Sequence, residues 1–223
     1  MDGVLWHDNE PIGDLPDIFT AINRMALKVI FVTNNASKNI KEIQSKLASF
    51  GVNVPEEQIV TSALATLRFI ARNYPPKSRV YVVGTSSLRD QFRAHGYTVL
   101  EDTNPTNAHI VSVSIDPEIN YQKLANASLL IRDGAQFIAT NTDTTYPTPQ
   151  GLLPGAGTFV AAVAAASGKD PLVIGKPQPT LFLQAMEIMG TQPRETLCVG
   201  DRLETDVLGG QNAGCLTALV LSG

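Results

Sequence analysis

Residues Val29-Ile30-Phe31-Val32 form a near-continuous apolar, β-branched run that ends on the polar triplet Thr33-Asn34-Asn35. A run of this kind suits a strand covered on both faces, which is the environment of a parallel sheet. The pattern recurs along the chain, and the recurrence limits the fold. Strands are predicted at Lys28–Thr33, Arg79–Val83, His109–Val113, Gln136–Ala139, Pro171–Ile174, Thr196–Val199 and Thr217–Leu221. Between them, helices are predicted at Pro16–Leu27, Lys38–Phe50, Ser62–Asn73, Ser86–His95, Tyr121–Asp133, Gly157–Ser167, Pro179–Met189 and Thr205–Ala213. Ser62 stands where an N-cap is expected, and Gly51, Gly96 and Gly214 follow predicted last turns. Strand–helix alternation implies an α/β architecture.

Two places look like domain boundaries. Prolines interrupt a helical pattern at Asn73-Tyr-Pro-Pro-Lys-Ser78, and a polar stretch runs from Ala166 to Pro171. The expected division is a core from residues 1–76 and 171–223, with an inserted α/β domain from 77–170. With 223 residues, 43% hydrophobic and 17% charged, the chain can bury a sizeable core. A net charge of −4 argues against a nucleic-acid surface and leaves a small anionic substrate open. No apolar stretch approaches a membrane span, and residues 1–15 lack a signal-peptide pattern, so the expected compartment is a reducing cytoplasm. Cys198 and Cys215 lie in apolar surroundings and read as buried thiols.

Four short motifs carry the chemistry. Asp2-Gly3-Val4-Leu5-Trp6 offers an acid beside a turn. Thr33-Asn34-Asn35 supplies a hydroxyl and amide donors at the carboxyl end of a predicted strand, where α/β ligand sites form. Gly175-Lys176-Pro177 places a cation after another strand. Asp201 and Asp206, five residues apart around a strand-to-helix turn, offer hard oxygens to Mg²⁺. Each motif alone also has an ordinary structural reading: a turn, a surface lysine, a capping aspartate. Together they supply the parts that phosphoryl transfer needs, and all are expected on one sheet edge. His7, His95 and His109 are widely separated and are read as structural. Pro154-Gly-Ala-Gly157 is read as a turn before a helix, and Trp6 as packing at a hinge.

The stretches DGVLW (2–6), FVTNNASK (31–38), GAQFIATNTDTTYPTPQGLLPGAG (134–157), VIGKPQPTLF (173–182) and VGDRLETDVLGGQNAG (199–214) resemble the haloacid dehalogenase (HAD) superfamily. The similarity is to its branch of p-nitrophenyl phosphatases, phosphoglycolate phosphatases and NagD-like phosphatases. The resemblance implies a Rossmann-like core with a C2-type cap and an Mg²⁺-dependent phosphomonoester hydrolase acting on a small phosphorylated metabolite. It implies catalysis through an aspartyl-phosphate. It makes Asp2 the general acid/base and, through its carbonyl, a metal ligand. Thr33, Asn34 and Asn35 become phosphate binders, and Lys176 both a catalytic and a substrate-binding cation. Asp201 becomes a metal ligand, Asp206 a supporting metal-site acid, and Asn141 and Asp143 substrate-facing residues. Thr142 stands where the family usually has proline. A homodimer through the cap is also open. The family's nucleophile matches no residue here and is expected as an aspartate directly ahead of Met1. The first core strand and the C-terminal end are likewise expected outside these residues, so the chain as written is expected to be inactive. The alternative is a non-catalytic phosphate-ligand or interaction protein of the same fold.

Overall fold

In the computed structural model, residues 1–148 and 150–223 are described; Pro149, inside the family-like run 134–157, lies outside the described residues. Backbone contacts divide the chain into two compact units. The first contains residues 1–33, 39–61 and 176–223, and the second 34–38 and 62–175. These boundaries differ from the expected 76/77 and 170/171. One reason is that the strand before Lys176 pairs inside the second unit: Leu172–Val173 lies parallel to Ile138–Ala139, and Ile174 N–H continues the ladder to the Ala139 carbonyl at 3.0 Å.

The first unit opens with a small antiparallel pair, β1 (Trp6–His7) and β2 (Glu10–Pro11). Helix α1 (Leu15–Arg24) follows, with Asp14 accepting from Asp17 N–H at 3.0 Å and Pro16 in the first turn. It ends short of the predicted Leu27 because Met25 caps it and Ala26 turns to φ 54°. Strand β3 (Phe31–Thr33) pairs in parallel with β4 (Ile59–Thr61), and α2 (Ile40–Ser49) connects them. Asn39 and Glu42 form a reciprocal capping box at the start of α2. Trp6, Leu15, Phe31, Ile43, Leu47, Val52 and Ile59 form one core cluster. Trp6 is thus a core residue of this unit, 5.7 Å from the Phe50 ring, and not a hinge residue.

The second unit begins with α3 (Ser62–Asn73), followed by β5 (Arg79–Val83), α4 (Ser86–Ala94), β6 (Thr98–Val99) and β7 (Ile110–Val113). Next come α5 (Tyr121–Arg132), β8 (Gln136–Ala139), the hairpin β9 (Thr145–Thr148) and β10 (Gly151–Pro154), α6 (Ala156–Ser167) and β11 (Leu172–Val173). Five of these strands make a wholly parallel sheet in the order β11-β8-β7-β5-β6. Tyr81, Val83, Val111, Val113, Phe137 and Ala139 from the sheet pack with Ala127, Leu130 and Ile131 of α5 and Val160 and Val163 of α6. The double coverage expected of apolar parallel strands is met here. Ser62 does not cap α3 as expected. It is the first helical residue, and its hydroxyl donates to the Asn34 carbonyl at 2.6 Å.

The chain then returns to the first unit with α7 (Thr180–Met189), β12 (Leu197–Gly200), a π-helical turn at Leu203–Val207, α8 (Leu208–Asn212) and β13 (Leu216–Leu219). β12 and β13 are parallel partners. The expected helix Thr205–Ala213 is therefore split. Asp206 Oδ2 accepts from Arg202 N–H at 3.3 Å, widening the first turn, and Gly209-Gly210 weakens the second. The motif strands do not share one sheet edge among the described residues. β3 pairs with β4, β12 with β13, and the strand ahead of Lys176 with β8.

Candidate active site

Each unit brings together one group of the expected site residues. In the first, Lys176 Nζ donates to Asp206 Oδ1 at 2.6 Å, with side-chain exposures of 8% and 15%. A pair so shielded is much stronger than a surface ion pair and is costly to break from one side. Asp206 therefore has both oxygens committed, one to Lys176 and one to Arg202 N–H.

Asp201 sits at the carboxyl end of β12 with its carboxylate against the Gly3 backbone; a Cβ on Gly3 would stand 2.4 Å from Oδ2. Among the described residues, no hydrogen bond reaches the Asp201 carboxylate. Asp2 directly precedes Gly3, whose N–H donates to the Trp6 carbonyl at 2.8 Å, so the Asp2 backbone lies next to Asp201. Thr33 closes β3 opposite Thr61 of β4, at the strand's carboxyl end.

The fit to Mg²⁺ is partial. Among the described residues, no three His, Cys, Asp or Glu side chains are grouped to hold a metal ion. Asp201 meets the chemical requirement, being a carboxylate with no hydrogen-bond partner that can act as a hard oxygen ligand.

The second unit gathers Asn34, Asn141 and Asp143. Asn34 Nδ2 donates to Asp143 Oδ2 at 2.9 Å, and Asn141 Nδ2 donates to the same oxygen at 2.7 Å. Thr140 Oγ1 donates to Ser114 Oγ at 2.9 Å and lies 3.1 Å from Asn141 Oδ1, tying the loop to the ends of β7 and β8. Ligand sites favour such carboxyl ends of parallel strands. Asn35 Oδ1 serves its own loop, accepting from Ser37 N–H at 2.9 Å and Ser37 Oγ at 2.7 Å.

Sequence reasoning missed two supports of this group. One is Ser62, whose hydroxyl holds the Asn34 carbonyl. The other is Gly157, where a Cβ would stand 2.2 Å from the Thr142 carbonyl oxygen. Gly157 N–H donates to the Asp143 carbonyl at 2.9 Å, so the Gly-rich run is a docking platform for the 142–144 loop. The only sequence signal was the Gly-x-Gly spacing itself, which a turn explains equally well.

Residues 1–98 match a family model described as haloacid dehalogenase-like hydrolase, and residues 173–223 match a second model for HAD-like hydrolases. The chain is 39% identical to the 5'-nucleotidase YutF of Bacillus subtilis over 223 residues, spanning all of this chain and 85% of that protein. A p-nitrophenyl phosphatase from Archaeoglobus fulgidus superposes with a TM-score of 0.92 at 31% identity, covering 100% of this chain and 84% of the other. A glycerol phosphate phosphatase from Mycobacterium tuberculosis, solved with magnesium, superposes with a TM-score of 0.89 at 35% identity, covering 100% of this chain and 66% of the other.

Proposed function

The chain belongs to the haloacid dehalogenase-like hydrolases, and from that premise we propose that it is the body of an Mg²⁺-dependent phosphatase of small phosphorylated metabolites. The observation that carries this reading is the shielded Lys176–Asp206 pair in a unit that also holds Asp201 against the Gly3 backbone, next to Asp2. A fixed cation and a carboxylate with no hydrogen bond among the described residues suit the transfer of an anionic phosphoryl group. The relatives named above include a nucleotidase and a glycerol phosphate phosphatase, and a small phosphomonoester is the class common to both.

We assign the attacking carboxylate to an aspartate directly ahead of Met1. Its oxygen attacks phosphorus and the bond to the leaving oxygen breaks. Asp2 gives that oxygen a proton, then takes one from the water that hydrolyses the aspartyl-phosphate. Lys176 holds positive charge against the phosphoryl oxygens, and Asp206 holds Lys176. We assign hydrogen bonds to phosphate to Thr33 and Asn34, and a substrate contact to Asn141. Asp201 and the Asp2 carbonyl would hold Mg²⁺, which when bound offsets charge on the transferring group.

The test is p-nitrophenyl phosphate turnover with and without magnesium, by residues 1–223 and by the same chain preceded by its native upstream segment. Magnesium-dependent turnover only when an aspartate precedes Met1 is expected. No turnover by the longer protein, with phosphate still bound, would instead favour a non-catalytic phosphate-ligand protein.

A further inference from the structure

Asp143 was expected to face substrate, but its surroundings give it different work. Its Oδ2 is the shared acceptor for the carboxamides of Asn34 and Asn141. Its own main chain is pinned: Gly157 N–H holds the Asp143 carbonyl, and Gly155 N–H and Thr158 Oγ1 each hold the neighbouring Thr144 carbonyl at 2.8 Å. A carboxylate on a backbone this fixed is a reference point for the groups that bond to it. It is also poorly suited to meet a phosphate directly, because two anions in contact repel.

We propose that Asp143 is a positioning residue that acts through Asn34 and Asn141 and does not touch substrate. This rests on the phosphatase reading above for its consequence, but not for its geometry. An amide can point either its oxygen or its NH₂ in a given direction, and only the bonding network decides which. By taking both NH₂ groups, Asp143 sets the sense of two carboxamides at once. Ser62 Oγ holds the Asn34 carbonyl and Asp143 holds its Nδ2, while its Oδ1 packs close to Gly175, where a Cβ would come within 2.8 Å. Asn34 follows Thr33 directly, so the orientation of its amide decides what the end of the Thr-Asn motif presents to a phosphate. The bond spans 109 residues of sequence and joins that motif to the 140–143 loop within one unit.

The experiment has two arms on the protein with its upstream aspartate. The first follows the side-chain amide proton signals of Asn34 and Asn141, assigned by Asn→Asp substitution at each. Asp143→Ala is expected to shift both signals and speed their exchange while the remaining amide spectrum and the melting temperature hold. Unmoved Asn34 and Asn141 signals would overturn the proposal, whatever the activity. If Asp143→Ala fails to fold, Asp143→Asn is read the same way, since it keeps the shape and loses one acceptor. Asp143→Glu is expected to restore part of the effect.

The second arm is a double-mutant cycle on p-nitrophenyl phosphate turnover with Asn34→Ala and Asn141→Ala. Asp143→Ala alone is expected to lower kcat/KM by roughly 10- to 100-fold, the scale of a misplaced binding group. In the Asn34→Ala, Asn141→Ala background it is expected to change turnover less than about twofold. Full multiplication of the effects would mean that Asp143 meets substrate itself, and the proposal fails. Absence of turnover in every protein, parent included, would instead strike the phosphatase reading, and the amide signals would still judge the positioning role.

Discussion

In the first unit the candidate site residues are charged, with Lys176 bonded to Asp206 and Asp201 set against the Gly3 backbone. In the second they are held by the scaffold: Asn34, Asn141 and Asp143 are fixed by amide bonds, by Ser62 and by the backbone around Gly157. The second unit's own shielded ion pair, Lys123–Asp116 at 2.9 Å, lies apart from this cluster and joins α5 to the segment after β7. The proposed chemistry uses the first unit's ion pair, while the second unit's pair ties α5 to the segment after β7 and its site carboxylate, Asp143, is held by two amide donors. The lesson is that a buried ion pair alone does not mark a catalytic centre. Its neighbours do.

The two ion pairs give the largest tests of that contrast. Lys123→Met leaves Asp116, 2% exposed, without its cation, and is expected to cost about 3–5 kcal/mol of stability in urea unfolding. Phosphatase turnover by the protein with its upstream segment, at a temperature where it remains folded, is expected to hold. Lys176→Met should do the reverse in proportion, with kcat falling roughly 10²- to 10³-fold, the scale of losing one fixed charge donor. Equal effects of the two substitutions on turnover would erase the distinction.

Close approaches give the next size of effect. A Cβ on Gly200 would stand 2.1 Å from the Cβ of Asp206, and one on Gly157 2.2 Å from the Thr142 carbonyl oxygen. Each Gly→Ala is expected to cost about 1–3 kcal/mol by overpacking. Gly200→Ala should also lower kcat by displacing the acid that holds Lys176, whereas Gly157→Ala should act mainly on KM through the 142–144 loop. Steady-state kinetics on both proteins reads the split.

The smallest effect at neutral pH belongs to Cys198, where burial first, and then Cys215 beside it, push the thiol up to about 12 from 9.0. The folded state therefore keeps a proton that the unfolded chain releases. Stability from this group is complete below about pH 9 and is lost as pH rises toward 12. Maleimide labelling of Cys198 at pH 8 is expected only after unfolding.

Much of the fold was legible because its strongest signals are local. Arg79–Val83, Gln136–Ala139 and Ser62–Asn73 have the bounds that periodicity predicted. Ile59–Thr61 was missed because two apolar residues and a threonine between a Glu-rich turn and a helix are too short to carry a periodicity. Strands β9 and β10 were missed because their residues show no alternation of buried and exposed faces. The charged site residues were legible through motif order. The grouping of Asn34 with Asn141 and Asp143 was not, since it depends on a contact 109 residues apart. Nor was the π-helical turn at Leu203–Val207, where a regular helix was expected.

The central claim is covalent catalysis by an aspartate beside Asp2, supported by Lys176. Its most direct test is an acid quench of the protein with its upstream segment during turnover, followed by mass spectrometry of the tryptic peptide ending at Arg24. The account predicts a substrate-dependent, hydroxylamine-labile phosphate on that peptide, accumulating when Asp2→Asn slows its hydrolysis. Turnover with no phosphate there, or with phosphate on a different peptide, would contradict it.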